Sequence, residues 1–437
     1  MRILGKTRQL AEAVVATLSQ EKPSVTSALL RSFTLRDWER SYYWLDASGV
    51  ALYFLEAVKQ QPLESLIPVS VLRRLEQNQA DNQRRSAHLF EEFVKINEAF
   101  RGSGVRYVTL KGFALTPDYC RDLSRRYQLD LDFLISPTDE SKCRELIEQM
   151  GYRLKGVGDY ISEFQAGEDR PPALDRLYEP RSERSVELHL AIPPVTIFGT
   201  DELIGRSESR SNSGYAFPVL ASCDMFLAQT FHLLRHIRGE WTRLSWFLEF
   251  RHFVRCRHDD VSFWSDIRKH AEGSESSIAI GIVTLLAAEL FGQFAPRELI
   301  EWTVDTLPTR VRLWVNRYGR QAVITEFPGT KLYLLLEQEL AADTPARRHT
   351  RRRKLLPVRL PDKIAESTNS HWLTRIRGSL IQMRYIVFRL RFHIAAGIHY
   401  RLEARRWKRA LLFAGEVRPR VANADRHNVT ASSVGQY

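Results

Sequence analysis

The sequence predicts an α+β protein in which a small unit of strands and helices is embedded in a largely helical chain. Three observations support this class. Apolar residues recur at helical spacing up to about residue 100, they form strand-like segments between residues 103 and 195, and they return to helical spacing after about residue 220. With 437 residues, 44% hydrophobic and 27% charged, the chain has the composition of a globular protein of several domains.

The first hundred residues are predicted to form helices. Segments 27–40 and 42–59 are short amphipathic stretches, and segment 77–100 is a longer one. The glycine-rich residues 102–104 then break the pattern. We therefore predict an N-terminal helical region over residues 1–102.

The next part of the chain is predicted to contain the strands. Strand-like segments lie at 105–110, 129–135, 152–154, 160–164 and 185–190. After the second of them, Ser136 is a suitable N-cap and Pro137 suits the first helical position, so a helix is expected there until Gly151 ends it. These elements predict an α/β core over residues 103–200.

Helical spacing then returns. Helices are predicted at 224–238, 244–256, 262–272 and 276–292, and they define a helical region over residues 201–340. The apolar run 278–288 is too short to span a bilayer and is predicted to be a buried helix.

The C-terminal part is predicted to consist of three segments. They are an arginine-rich break at 341–354, one or two long amphipathic helices at 372–412, and a disordered tail at 418–437. The first two belong to a predicted basic region over residues 341–417.

The positive charge of the chain is concentrated in this basic region. The whole chain carries 64 Lys/Arg and 52 Asp/Glu, but residues 347–420 alone hold 20 Lys/Arg and four acids. The simpler interpretation is a helix packed on the body with its arginines outward. The alternative is a surface for an anionic partner, and aromatic residues among the arginines suit a membrane interface or nucleic-acid stacking equally.

Cysteine spacing and the N-terminus indicate the cellular setting. The four cysteines are widely spaced with no CxxC pair, and residues 1–22 mix charged residues with short apolar stretches, unlike a secretory signal. We expect a cytoplasmic protein, with peripheral membrane association through its basic end as a further option.

Paired carboxylates mark the candidate chemical site. In the strand at 129–135, Asp130 and Asp132 point to one side while the intervening apolar residues face the other. On the later strand, Glu187 and His189 share a face, and Glu187 could complete a carboxylate triad. Such a triad can hold one or two divalent metals for displacement at phosphorus. We expect His189 to pack or to orient its neighbours.

A turn after the first strand supplies candidate phosphate contacts. Gly112 allows the backbone to approach phosphate oxygens, and Lys111 adds a positive charge. Arg126, four residues before the first aspartate, could clamp a phosphate with its planar guanidinium. The order of these motifs along the chain indicates a phosphate- and metal-binding site more specifically than any single motif does.

These motifs together resemble a known family. The segments VTLKGFAL, RYQLDLDFLISPTDESKCRELIEQMGYRL and SVELHL resemble the uncharacterised nucleotidyltransferase family of bacterial proteins, which is related to the DNA polymerase β-like nucleotidyltransferase superfamily. The later helices with His232 and His236 also resemble the family. The resemblance covers most of the chain and implies a nucleotidyltransferase-type mixed sheet with helices.

The resemblance also implies roles for the site residues. Asp130, Asp132 and Glu187 correspond to the catalytic, metal-binding carboxylates, with Mg²⁺ or Mn²⁺ as cofactor. The departures from the family pattern remove none of these ligands.

Three further positions correspond to the nucleotide-binding residues of the family. Lys111 and Gly112 lie in the phosphate-contacting turn, and Arg126 takes the arginine position. Glu249 stands where an aspartate is common in the family.

The sequence leaves three hypotheses for function. The leading one is transfer of a nucleoside monophosphate from an NTP to an unknown acceptor, with release of pyrophosphate. The second is a non-catalytic nucleotidyltransferase-like scaffold that binds an anionic partner, a membrane surface or nucleic acid, through residues 347–420. A third is another phosphotransfer reaction on the same carboxylates, because a fold does not fix a reaction.

Overall fold

The computed structural model of the chain describes residues 2–19, 23–167, 176–180, 184–194, 199–271, 275–341, 344–355 and 372–413. Over these residues, one seven-stranded mixed sheet is surrounded by helices, so the predicted α+β class with a largely helical chain is confirmed. The tail predicted at 418–437 lies outside the described residues.

Five α-helices precede the sheet. They are α1 Arg2–Ser19, α2 Pro23–Leu30, α3 Leu35–Ala47, α4 Ala51–Gln60 and the long α5 Val69–Gly102. The segment 27–40, predicted as one stretch, is two helices because Thr34 begins a new one. The Thr34 amide donates to Asp37 Oδ2 at 2.9 Å and the Asp37 amide donates back to Thr34 Oγ1, forming a capping box. The segment 42–59 is likewise divided, at Gly49, whose φ is +75°.

The sheet combines parallel and antiparallel pairs. Its strands are β1 Tyr107–Leu110, β2 Asp130–Ile135, β3 Arg153–Val157, β4 Ile161–Ala166, β5 Arg184–His189, β6 Glu208–Asn212 and β7 Tyr215–Val219. Their order is β3-β4-β5-β2-β1-β7-β6. At the centre, β2 runs parallel to β5 and antiparallel to β1, while β1 runs parallel to β7. All five predicted strands are present, with bounds shifted by a few residues.

The strands β6 and β7 were not predicted. They form an antiparallel hairpin, and β7 joins the sheet by pairing Val219 with Thr109 of β1. The sequence of β6, ESRSN, is polar on both faces, so it lacks the alternation that identifies a half-buried strand. The sheet therefore continues past residue 200, where we placed the end of the α/β core.

One face of the sheet packs on α5 through aromatic rings. Phe133 of β2 lies with its ring 6.0 Å from that of Phe93 and 5.4 Å from that of Phe100. Phe93 also contacts Phe217 of β7 at 4.8 Å. Because neighbouring strand residues point to opposite sides, this packing directs Asp130 and Asp132 to the other face.

The remaining helices follow the sheet strands or intervene between them. They are α6 Glu140–Gln149, α7 Thr200–Gly205, α8 Ser222–Ile237, α9 Leu244–Cys256, α10 Val261–Ala271, α11 Ser276–Phe291, α12 Arg297–Thr303, α13 Thr309–Trp314, α14 Arg320–Ile324, α15 Tyr333–Leu340, α16 Pro345–Leu355 and α17 Trp372–Phe413. The helix α11 is buried along most of its length, as predicted for the run 278–288.

The basic C-terminal region differs from its prediction at one point. Most of the break predicted at 341–354 is the helix α16, because arginine and lysine are good helix formers and Pro345 stands at its first position. The segment 372–412 is one helix, α17. In the part of the chain that the structure describes, no helix is both long enough and apolar enough to cross a bilayer.

Candidate functional site

Strand register brings two carboxylates and an imidazole together. The pairing of β2 with β5 aligns Asp132 with Glu187, and His189 lies two pairs further along, opposite Leu134. His189 Nε2 lies 3.0 Å from Asp132 Oδ1 and 3.2 Å from Glu187 Oε2. One donor atom from each of the three residues lies within 4.8 Å of the others, so this cluster could hold a metal ion. Carboxylate and imidazole donors together suit several divalent metals.

Asp130 lies beside this cluster, two residues earlier on β2. It is half-buried and lines the same cavity as Asp132 and Glu187. Burial and the negative charge of Asp132 raise the pKa of Asp130 to about 6. The expected carboxylates thus share one cavity, and the tight cluster also contains His189, which we had expected only to pack or orient.

Lys111 offsets part of the negative charge of the acidic cluster. It follows the last residue of β1, Leu110, which pairs with Asp132. Its Nζ lies 2.5 Å from Asp132 Oδ1 and 3.7 Å from Glu187 Oε2. Burial would lower the pKa of Lys111, but the carboxylates Asp132, Asp130 and Glu187 raise it above its ordinary value. Burial would likewise raise the pKa of Asp132, but Lys111 and His189 hold it below its ordinary value.

The turn after β1 has a conformation that requires glycine. Lys111 and Gly112 both have positive φ, at 47° and 40°. A Cβ atom at residue 112 would lie 2.1 Å from Gln128 Nε2. That same Nε2 donates a hydrogen bond of 2.7 Å to the carbonyl of Asp130. Gln128 therefore links the turn to the first residue of the acidic strand.

Arg126 is held by a buried ion pair. Its Nε donates to Glu249 Oε1 of α9 at 3.0 Å, and the Tyr53 hydroxyl donates to the same oxygen at 3.2 Å. The side chains of Arg126 and Glu249 are only 10% and 4% exposed. Arg126 lines the cavity, and its orientation is fixed by Glu249.

A cavity of about 750 Å³ lies at the polar face of the sheet. All six residues expected at the site line it: Asp130, Asp132, Glu187, Lys111, Gly112 and Arg126. This volume lies within the range of small-molecule binding sites.

Aromatic and neutral imidazole groups form the helical wall of the cavity. His232 and His236 lie one turn apart on α8, and their rings contact the Trp246 ring of α9 with centroids 4.7 and 4.5 Å away. Burial and nearby positive charge lower the pKa of His236 to about 4, and burial also lowers that of His232. The Arg243 guanidinium lies over the rings of Tyr127, at 4.3 Å, and Trp246, at 5.1 Å.

The rim of the cavity is basic and includes helices near the C-terminus. Arg235 and Arg238 from the end of α8 line it together with Lys354 of α16. Lys354 Nζ pairs with Glu337 of α15 at 2.8 Å. Buried Lys331 donates to the backbone carbonyl of Lys354 and so fixes the end of α16 at the rim.

Several of these residues were not predicted to belong to the site. His189 could have been recognised, because it shares a strand face with Glu187. Gln128, Trp246 and Lys354 carry no comparable pattern in the sequence. Their proximity depends on packing between elements far apart along the chain.

The fold and the site define an α+β protein with a candidate metal cluster in a ligand-sized cavity. A model of the family described as "uncharacterised nucleotidyltransferase" matches residues 34–292. The chain belongs to the uncharacterised nucleotidyltransferase family. The match begins at the N-cap of α3, includes the whole sheet and ends just after α11. No curated protein matches the chain.

Proposed function

We propose that the protein is a metal-dependent nucleotidyltransferase that transfers a nucleoside monophosphate from an NTP to an acceptor and releases pyrophosphate. One observation supports this most directly: Asp132, Glu187 and His189 converge at the wall of a cavity beside Lys111. Family membership makes the reaction class the natural choice. The arrangement provides metal ligands and a phosphate-binding cation in one place.

The proposed roles follow from position. Asp130, Asp132 and Glu187 hold Mg²⁺ or Mn²⁺, with His189 within reach as a nitrogen ligand. A divalent ion bound there would neutralise charge on the triphosphate and polarise the phosphorus that is attacked. Glu187 is the least buried of the clustered side chains, at 20% exposed, and suits removal of the acceptor proton.

The nucleotide is proposed to lie between the acidic sheet and the basic rim. Lys111 would move from Asp132 to a phosphate oxygen when the metal binds. The Gly112 turn lets phosphate approach the backbone, and Arg126 supplies a fixed positive charge. Arg235 and Arg238 also line the cavity and would contact the remaining phosphates.

The proposal also includes membership of the DNA polymerase β-like superfamily and a bacterial origin, which the motif resemblance implies. A cytoplasmic location is a further part of it, based on the cysteine spacing and the N-terminal residues. The division of the chain into five regions, with the α/β core as the catalytic part, also remains a proposal.

The first test is calorimetric binding of each of the four NTPs with and without Mg²⁺. We expect Mg²⁺-dependent binding of at least one NTP to the wild type and its loss in Asp130→Asn/Asp132→Asn. The matched control is Glu145→Gln/Glu148→Gln, which neutralises two exposed carboxylates on α6 and should bind normally. Failure of folded wild type to bind any NTP would contradict the proposal.

The second test is turnover. Asp130→Ala should abolish transfer of labelled nucleotide to acceptors, while circular dichroism shows an unchanged fold. Activity retained in this variant would exclude the assignment of Asp130.

A non-catalytic scaffold is the alternative, favoured by the exposed basic surface of α17. It predicts that deletion of residues 347–437 removes function and that Asp130→Ala does not. The two proposals are therefore distinguished by Asp130→Ala, which removes function only if the protein is an enzyme.

A further inference from the structure

The helix α17 presents a row of large aliphatic side chains to solvent. Each is between 42% and 62% exposed: Ile376, Leu380, Met383, Val387, Leu390, Ile394, Ile398 and Leu402. Consecutive members are three or four residues apart, so they follow one helix face for about 39 Å. Contiguous apolar rows of this kind usually mark an interaction site. The helix lies outside the residues matched by the family.

The opposite face of α17 attaches the helix to the body. Tyr400 and Trp407 are buried there, and their polar atoms bond to α15 residues: Gln338 Nε2 to the Tyr400 hydroxyl at 2.8 Å, and Trp407 Nε1 to Glu339 at 3.2 Å. Arg389 pairs with Glu240 at 2.9 Å. The aliphatic row is therefore not needed to dock the helix.

Positive charge surrounds the row. The helix has ten Lys/Arg and a single acid, Glu403, which is buried. Arg384 and Arg391 are exposed at its side, and Arg401 and Arg405 continue the same face beyond Ile398. An apolar row bordered by arginines matches the boundary between lipid acyl chains and phosphate headgroups, because arginine reaches the phosphates with its long side chain.

Charge disfavours a second copy of the helix as the occupant. A coiled coil along this row would bring Arg384 and Arg391 close to the same residues of the other copy. The helix offers no exposed acid to pair with them, since Glu403 is buried and paired with Arg406. Coiled-coil partners normally match opposite charges beside the apolar row.

The aromatic residues disfavour nucleic acid. Stacking on bases requires exposed rings. Among the described aromatic side chains of α17, Tyr400 and Trp407 are buried and Tyr385 and Phe392 are half-buried, so only Phe388 is well exposed. The exposed residues of the row are aliphatic and offer no ring on which a base can stack.

Each of the two longest undescribed segments of the chain holds fewer aliphatic residues than the row. Residues 356–371 contain four aliphatic side chains larger than alanine, half the number in the row. Residues 414–437 contain four valines and no Leu, Ile, Met, Phe or Trp. Neither segment alone matches the eight aliphatic residues of the row, so we take the occupant to lie outside the chain.

We propose that α17 binds the surface of an anionic phospholipid bilayer. The aliphatic row lies in the outer part of the acyl region, the arginines contact lipid phosphates, and the helix lies parallel to the membrane plane. The body of the protein, with its cavity, then lies on the face of α17 that points away from the membrane. This proposal does not depend on the proposed reaction.

The test is vesicle sedimentation with the full-length protein. We expect binding to phosphatidylcholine vesicles that contain phosphatidylglycerol, and much weaker binding to phosphatidylcholine alone. Leu380→Gln/Val387→Gln/Ile394→Gln should weaken binding roughly tenfold or more, because three aliphatic side chains no longer enter the lipid. Arg384→Gln/Arg391→Gln should weaken binding and reduce its dependence on salt.

The control is Val157→Gln/Val261→Gln, which alters two valines that are 70% and 60% exposed elsewhere on the molecule. It should bind vesicles like the wild type, and circular dichroism should show the same helix content in all variants. Wild type that binds no anionic vesicles overturns the proposal. In that case, self-association lost in the triple variant would identify a second copy, and nucleic-acid binding lost only in the arginine variant would identify nucleic acid.

Discussion

The ammonium group of Lys111 lies 2.5 Å from Asp132 Oδ1, on the oxygen that His189 Nε2 also contacts. The acidic cluster thus contains its own cation. Because Lys111 also lies 3.7 Å from Glu187 Oε2, its charge acts on both carboxylates. A divalent metal at this cluster must compete with Lys111.

Removal of this charge should have opposite effects on metal and nucleotide. In Lys111→Met, binding of Mn²⁺ alone should become roughly tenfold tighter or more, since a positive charge close to the ligands is lost. Binding of NTP should weaken, because a phosphate contact is lost. Mn²⁺ titration followed by electron paramagnetic resonance and NTP calorimetry measure the two effects.

The matched control is Lys155→Met, which removes the same charge from an exposed position on β3. It should change neither affinity. Unchanged or weaker Mn²⁺ binding in Lys111→Met would show that Lys111 does not compete with the metal.

Gly112→Ala should destabilise the protein by about 2–4 kcal/mol. The new Cβ meets Gln128 Nε2 at 2.1 Å, and φ of +40° is unfavourable for alanine. Gly214→Ala is the control, since its φ is +80° but no atom lies within 4 Å of the added Cβ. It should cost only about 1 kcal/mol. Urea unfolding measures the free energies.

The contact between residues 112 and 128 can be isolated with a double variant. In Gly112→Ala/Gln128→Ala the clash disappears, while the strained φ and the lost Gln128 hydrogen bond remain. The combined loss should be smaller than the sum of the single losses by about 1 kcal/mol or more. Additive losses would mean that the clash with Gln128 does not cause the destabilisation by Gly112→Ala.

Arg126 and Glu249 should also behave as a coupled pair. Arg126→Met leaves Glu249 buried without its cation, and the free energy of unfolding should fall by about 3–5 kcal/mol. Arg126→Met/Glu249→Met should be less destabilised than Arg126→Met alone, because no unpaired charge remains buried. The reverse order in urea unfolding would contradict the ion-pair assignment.

The sequence predicted those elements that show a hydrophobic pattern within their own segment. Alternation identified β2 and β5, and with them the face shared by Asp130 and Asp132. It missed β6, whose residues are polar on both sides and which is held by pairing with β7. It also merged α2 with α3, because apolar spacing continues past Thr34, where a capping box begins the new helix.

The contacts within the site were harder to predict. Placement of Asp132 beside Glu187 requires the parallel register of two strands more than fifty residues apart. The Arg126–Glu249 pair requires the docking of α9, and Lys354 reaches the rim because Lys331 fixes the end of α16. Such contacts depend on tertiary packing, which local periodicity does not contain.

His236 makes stability depend on pH. Burial and the charge of Arg235 lower the pKa of its imidazole from 6.5 to about 4 in the folded protein. The unfolded chain therefore binds a proton below pH 6.5 that the folded protein does not bind until about pH 4. Stability must fall as the pH decreases through this range.

His236→Gln should remove this part of the pH dependence, because glutamine does not titrate. Between pH 7 and pH 5, the wild type should lose about 2 kcal/mol more free energy of unfolding than His236→Gln does, measured by urea unfolding at each pH. His258→Gln is the control, since it alters an exposed histidine. This variant should lose as much free energy of unfolding between pH 7 and pH 5 as the wild type does. Equal losses in wild type and His236→Gln would mean that His236 takes up a proton in the folded protein as readily as in the unfolded chain, and the cavity wall would then carry a positive imidazolium at pH 5.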